Sequence, residues 1–242
     1  MSSLQDDPRF QCYFLSEEAI TIQFGTEIKA DTFEQITAFN QLLKATAFNG
    51  FVDSVLAYTT LTVYYNPLLV WNGDLPGMNC FEKVANFLKQ LYQKVEGTHS
   101  IKADQIIIPV VYGGQYGPDL EEIAKHNKLS TQEVIYLHTQ AIYTVYLIGF
   151  VPGFAYLGGM DQRLYTPRKE TPRNEVPSGA VGIAGNQTGI YPLNTPGGWQ
   201  ILGQTPLALF AIDREQPSLL KTGDEVIFKA IGINEFEQLS NQ

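Results

Sequence analysis

The chain predicts an α+β fold: a small α+β domain over residues 1–100, then a β-rich domain over 101–242 that opens with short helices. Two observations carry this reading. As far as about residue 100, strand-like and helix-like stretches alternate in the order ββαββα, the pattern of helices laid over an antiparallel or mixed sheet. Between Gly149 and Pro206, by contrast, lie 11 of the 21 glycines and 7 of the 13 prolines. Such frequent breakers around short apolar runs mean many short strands and tight turns, hence a compact barrel or sandwich. With 44% hydrophobic residues, a chain of 242 can bury a sizeable core.

The elements follow in order. Phe10 to Leu15 and Ala19 to Phe24 read as strands joined across the turn Ser16-Glu17-Glu18. Asp31 is a candidate N-cap, because its carboxylate can accept from the free amides of a first turn. Phe33, Ile36, Phe39, Leu42 and Leu43 follow it at helical spacing. Phe51 to Tyr58 and Leu61 to Tyr65 form the next strand pair, stopped by Asn66-Pro67. A second helix runs from about Asn79 to Val95, with Val84, Leu88 and Leu91 on its apolar face. Ile106 to Val111 is a β-branched run suited to a buried strand.

Gly117-Pro118-Asp119-Leu120 opens a helix with acidic residues near its amino end, where they complement the helix dipole. Ser130-Thr131-Gln132-Glu133 has the capping-box pattern and starts another short helix that reaches His138. Tyr143 to Ile148, Ala180 to Ala184, Trp199 to Leu202 and Leu207 to Ile212 are short strands. The last strand, Glu225 to Ala230, is entered through Thr222-Gly223-Asp224.

A formal net charge of -9 without a local run of Lys and Arg argues against nucleic-acid binding, which needs a basic face. The first residues lack the basic start and apolar stretch of a signal peptide, and no apolar run reaches the ~18 residues of a membrane span. Cys12 and Cys80 stand far apart, without metal or redox spacing. The expectation is an acidic cytoplasmic protein that binds neither nucleic acid nor membrane. Phosphate loops, dinucleotide fingerprints, nucleophile elbows and paired metal-binding histidines are missing from the sequence, which moves weight towards binding or a shared site.

Four features remain as candidate chemistry. Gly149 to Gly159 is either a structural turn or a rigid loop that brings backbone amides and Tyr156 to a ligand. Arg163, Arg168 and Arg173, three of the five arginines, fall close together around Thr166 to Arg173. They make either a solvated loop paired with Glu170 and Glu175 or a local positive site for a carboxylate or phosphate. From Val176 to Ile212 there is no charged side chain, yet the run is rich in hydrogen-bonding groups, among them Gln187, Tyr191 and Thr195. That composition suits a neutral amide-like ligand or a broad protein interface better than a plain core, and Thr195-Pro196-Gly197-Gly198-Trp199 could offer backbone donors to an anion. His138, at the junction with the β region, is either a structural histidine or an acid/base group.

Taken together these segments carry a resemblance. Gly149-Phe150-x-Pro152-Gly153-Phe154-x-Tyr156-Leu157-Gly158-Gly159 precedes Pro167-Arg168 and Pro172-Arg173. Val176-Pro177-x-Gly179 and Ile183-Ala184-Gly185-x-Gln187-Thr188-Gly189-Ile190-Tyr191-Pro192 come next, followed by Pro196-Gly197-Gly198-Trp199 and Gly203-x-Thr205-Pro206. The set resembles the family of the 5-oxoprolinase B subunit, also called allophanate hydrolase subunit 1 or the KipI family. It is most specific from about residue 137 to 206. Three positions depart: Gln204 stands where many relatives carry Arg, Lys169 where a second Arg is common, and Ser178 where Ala is frequent.

The resemblance implies a small α+β domain followed by a cyclophilin-like β-barrel. It implies a larger carboxyltransferase-like partner, the C-type subunit of 5-oxoprolinase, together with a third protein of the same enzyme. The activity it implies is cleavage of 5-oxoproline to glutamate, with ATP as cosubstrate of the complex. Family members of the KipI type instead block autophosphorylation of a histidine kinase. In the enzyme reading, Arg168 and Arg173 hold a carboxylate or phosphate and His138 handles a proton. Tyr156, Gln187, Tyr191, Thr195, Gly197 and Gly198 then position the substrate, and no metal is expected.

Overall fold

The computed structural model describes residues 10–26, 30–94 and 104–241, and the chain divides into two compact units, Met1–Lys102 and Ala103–Gln242. In the first unit β1 (Gln11–Ser16), β2 (Ala19–Gln23), α1 (Ala30–Ala45), β3 (Phe51–Ala57), β4 (Thr60–Tyr65), α2 (Pro67–Asn72) and α3 (Cys80–Tyr92) follow one another. The strands pair antiparallel in the order β1-β2-β4-β3. Alternation puts Ile20, Ile22, Leu61 and Val63 on one face, where they pack with Ile36, Phe39 and Leu43 of α1 and Val84 and Leu88 of α3.

Two local readings change. Asp31 lies inside the first turn of α1 and does not precede it. Asn66-Pro67 ends β4, as expected, but also starts a helix: the Asn66 side chain accepts from the amides of Leu68 and Leu69, and Pro67 fills the first helical position, where no amide donor is needed. Val95, where the sequence placed the end of the next helix, lies outside the described residues.

The second unit contains β5 (Gln105–Tyr112), α4 (Leu120–Asn127), α5 (Thr131–Gln140), β6 (Ile142–Ile148), β7 (Ala155–Gly158), β8 (Arg173–Val176), β9 (Ala180–Ala184), β10 (Gln187–Ile190), β11 (Thr195–Gly197), β12 (Gln200–Gln204), β13 (Glu225–Ala230) and α6 (Ile233–Ser240). Seven strands close a barrel in the order β10-β7-β6-β13-β5-β12-β9, and β9 pairs back to β10. The β13–β5 pair is parallel and the other barrel pairs are antiparallel. Ile108, Val110, Tyr143, Val145, Leu157, Val181, Ile183 and Phe228 share its core. The capping box at Ser130 and Glu133 forms as the sequence predicts. Leu207 to Ile212 is not a strand, and retains one bridge from Phe210 to Ser218. Helix α6 was not anticipated.

Outside the barrel, β8 and β11 make a two-stranded ribbon in which Arg173 stands opposite Gly197 and Val176 opposite Thr195. A second cluster, in which Phe154, Tyr191 and Trp199 pack with Val176, Ala180, Ala184 and Ile201, lies in this unit, with Tyr156 packed on it.

Candidate functional site

The site grows from the prolines that bound the segment Pro167 to Pro172. Each fixes its own backbone φ, and hydrogen bonds pin the residues between them. The Lys169 amide donates to the Gly198 carbonyl at 2.8 Å, and the Gln200 side chain donates to the Pro167 carbonyl at 3.2 Å. Arg168 therefore has a held neighbour on each side, and its guanidinium carbon lies 5.9 Å from the centroid of the Trp199 ring. A cation over an indole face is attracted by the ring quadrupole, by about 0.5–1 kcal/mol when exposed.

Asp119 ties this segment to the barrel. It is 3% exposed and accepts at one carboxylate oxygen from Arg173 Nη2 at 2.6 Å and Lys169 Nζ at 3.0 Å. Its other oxygen accepts from the Ile201 amide at 2.6 Å, while its own amide donates to the Ile201 carbonyl at 2.8 Å. Burial alone would raise the Asp119 carboxyl. Arg173, the Ile201 amide and Lys169 together outweigh that and hold it below the ordinary carboxylate range. Lys169 also reaches Glu122 at 3.0 Å and Gln200 at 3.3 Å.

This network divides the basic residues. Arg163 pairs with Asp161 at 2.6 Å, and Arg173 and Lys169 are held by Asp119. None of the ion pairs of the described residues includes Arg168, which is exposed. An uncommitted cation is thus presented beside an open cleft of about 390 Å³ lined by Glu122, His126, Arg168, Lys169, Glu170 and Gln200.

The aromatic side of the site is rigid. The Phe154 ring lies 4.7 Å from Tyr156, 5.1 Å from Tyr191 and 5.5 Å from Trp199, and Tyr156 lies 5.8 Å from Trp199. Burial raises the Tyr156 hydroxyl pKa, opposed by Arg168. It raises that of Tyr191 too, opposed by the Trp199 backbone and Arg168. Phe150 holds a positive φ of 70°, unusual for a side chain of this size, and its ring stays 62% exposed while touching Phe154 edge-on at 5.6 Å.

The structure thus gathers Arg168, Arg173, Tyr156, Tyr191, Gly197 and Gly198 about Trp199, with Thr195 on the same ribbon. Gln187 lies at the hairpin end of β10, opposite Ala184, two residues before Gly189, which faces Tyr156. Arg173 is spent on Asp119, so its geometry supports a fixing role where ligand contact was expected.

His138 is fully buried in the barrel unit. Its Nδ1 faces the Tyr112 hydroxyl at 2.8 Å and its Nε2 the Thr188 hydroxyl at 3.1 Å. Thr188 spends its proton on the Gly182 carbonyl at 3.0 Å, so its oxygen accepts from Nε2–H, and Nδ1 accepts from Tyr112. Burial pushes the His138 pKa down to about 3. The geometry supports a neutral structural histidine in place of the proton-handling group expected from its position.

Asp119 and Lys169 were not among the residues the sequence singled out as site groups, and Trp199 entered only as the end of the Thr195 to Trp199 turn. Asp119 read as a helix-opening acid, yet its side chain makes no cap bond. The signal was available only in hindsight: its partners lie 50 and 54 positions away. The departures at Gln204 and Ser178 turn out to touch, because the Gln204 amide donates to the Ser178 carbonyl at 2.7 Å. Among the described residues no group of His, Cys, Asp and Glu side chains is arranged to hold a metal ion, and no helix is long and apolar enough to cross a membrane.

Residues 10–220 match the family described as carboxyltransferase domain, subdomain C and D. The chain is 42% identical over 229 residues to the 5-oxoprolinase B subunit of Bacillus subtilis, covering 94% of this chain and 95% of that protein. It is 39% identical over 219 residues to the 5-oxoprolinase B subunit of Haemophilus influenzae, covering 90% and 97%. The crystal structure of TTHA0988 superposes with a TM-score of 0.73 at 35% identity, covering 88% of this chain and 40% of that one. The chain therefore spans less than half the length of that protein. The Kluyveromyces lactis urea carboxylase superposes with a TM-score of 0.76 over 98% of this chain and 23% of that one, at 17% identity, a likeness of fold alone.

Proposed function

The chain belongs to the family of carboxyltransferase domains, subdomain C and D, and on that premise we propose that it is the B subunit of an ATP-dependent 5-oxoprolinase. The observation that carries the reading is the near full-length likeness to proteins of that name in two bacteria. In this reading the chain works with a larger carboxyltransferase-like subunit and a third protein, in the cytoplasm, and ATP is consumed by the complex.

The geometry suits such a substrate. 5-Oxoproline carries a carboxylate on a five-membered lactam. Arg168 offers a planar, uncommitted fork of donors to the carboxylate. Tyr156, only half-buried, supplies a flat face for the ring, and the buried Trp199 supports Arg168 from beneath. Lactam opening needs activation of a poor electrophile: ATP would phosphorylate the amide oxygen and leave as ADP, water would add at that carbon, the C–N bond would break to leave an acyl phosphate, and a second water would release phosphate and glutamate. This chain's share is to hold and orient the substrate, which by itself lowers the barrier. Thr195 and the amides of Gly197 and Gly198 lie on the same ribbon and complete the substrate surface.

The test is to purify the tagged chain from its native cells and identify what accompanies it. A larger carboxyltransferase-like subunit is the expected companion. Recovery of the chain without one, under conditions that preserve other heteromers, would count against the reading.

A further inference from the structure

Four basic side chains, Arg163, Arg168, Lys169 and Arg173, fall within eleven positions, and a buried carboxylate decides which is free to meet a ligand. We infer that Asp119 is the positioning residue of this site: by holding Lys169 and Arg173 it fixes the segment that Arg168 directly precedes, so that of these three cations Arg168 alone is left unpaired over Trp199. The inference rests on the reading of Arg168 as the group that meets the substrate.

Asp119 is joined to Ile201 by two hydrogen bonds, at 2.6 and 2.8 Å, which lock it to β12. Ile201 is two residues from Trp199, and Arg173 Nη1 also leans on the Trp199 carbonyl at 3.5 Å. Lys169 adjoins Arg168 directly and is held at its amide by Gly198 and at its ammonium by Asp119. One buried carboxylate therefore links the strand that carries the indole to the backbone on which the guanidinium rides, with the exposed Glu122 sharing the Lys169 ammonium. The arrangement also sets the electrostatics. Asp119 neutralises charges that would otherwise compete with Arg168 for an anion, and a structure that merely needed a tight turn would not require a buried anion to hold it.

Fluorescence tests this in the chain itself. The protein has two tryptophans, and Trp71 is exposed in the other unit, so Trp71→Phe leaves emission from Trp199 alone. In that background Arg168→Ala reports the loss of the cation from the ring. Asp119→Asn is expected to reproduce more than half of that change, and Asp119→Asn with Arg168→Ala to add nothing further. Should Asp119→Asn fail to fold, Lys169→Gln retains the Arg173 pair and is expected to move the emission in the same direction by less.

In the assembled complex, positioning predicts a raised KM for 5-oxoproline with Asp119→Asn, although the variant makes the site more positive by one charge. Unchanged Trp199 emission in folded Asp119→Asn or Lys169→Gln, effects that add to Arg168→Ala, or a lowered KM would each overturn the inference. A complex without 5-oxoproline turnover would remove the proposed function, while the fluorescence comparison would still decide the role of Asp119.

Discussion

Arg168 and Trp199 form a cation–ring contact at the heart of the site, with the guanidinium carbon 5.9 Å from the ring centroid. The indole is 4% exposed and fixed among Phe154, Tyr156 and Tyr191, whereas the guanidinium faces the cleft. A fixed ring beneath an unpaired cation suits the carboxylate of the proposed substrate.

From this contact follows the first prediction. Arg168→Ala should raise the KM for a carboxylate substrate about 10- to 100-fold, the loss of about 1.5–3 kcal/mol that a hydrogen bond to a charged group contributes. Arg168→Lys should recover only part of it, because an ammonium lacks the planar fork. Steady-state kinetics of the complex decides; equal KM values across the three proteins would place substrate binding elsewhere.

The neighbouring glycines should differ sharply. A Cβ at Gly197 would meet the Tyr191 hydroxyl oxygen at 2.5 Å, and that ring is 1% exposed and cannot retreat. At Gly198 the nearest atom would be Pro172 Cγ at 3.6 Å, an ordinary contact. Gly197→Ala should cost about 1–3 kcal/mol by overpacking, and Gly198→Ala little. Denaturant titrations measure both, and equal losses would refute the steric account.

Much of the fold was legible beforehand, and the part that was not has a physical reason. Ser130 with Glu133, and Asn79 before the apolar face of α3, are local patterns whose partners lie within one helical turn, so sequence exposes them. The glycine and proline breakers likewise foretold short strands. Asn66-Pro67 misled, because a residue pair that stops a strand is also well suited to start a helix. Asp119 escaped for the opposite reason: its cationic partners are brought to it only by barrel closure. His138 looked chemical because of its place in the chain, and only the fold reveals how deeply it is buried.

His138 gives a pH prediction. Its folded pKa is about 3, below the ordinary 6.5. The unfolded chain therefore takes up a proton that the folded one refuses as pH falls below 6.5. Stability carried by this group is fully present above that pH and declines towards pH 3, by up to about 1.4 kcal/mol per unit. His138→Gln should flatten this part of the stability profile, whatever its own cost. Chemical denaturation at pH 7 and pH 5 checks it; an unchanged slope would show that His138 is not the group responsible.

Phe150 should respond to backbone chemistry more than to ring loss. Its positive φ costs an ordinary L residue roughly 1–2 kcal/mol, a conformation that Asn tolerates better. Phe150→Asn should match or exceed the parent in thermal stability, and Phe150→Val should fall below both, since β-branching worsens the strain. Thermal unfolding of the three proteins separates strain from packing: if the contact with Phe154 dominates, Phe150→Asn loses stability instead.

In the proposed function this chain serves an ATP-driven lactam hydrolase through Arg168. Its most direct test is ADP release by the tagged complex, with and without 5-oxoproline, for the parent and for Arg168→Ala. The expected result is 5-oxoproline-stimulated ADP release that Arg168→Ala sharply reduces at low substrate concentration. A purified chain bound to a histidine kinase, with no 5-oxoproline-dependent ADP release, would contradict it.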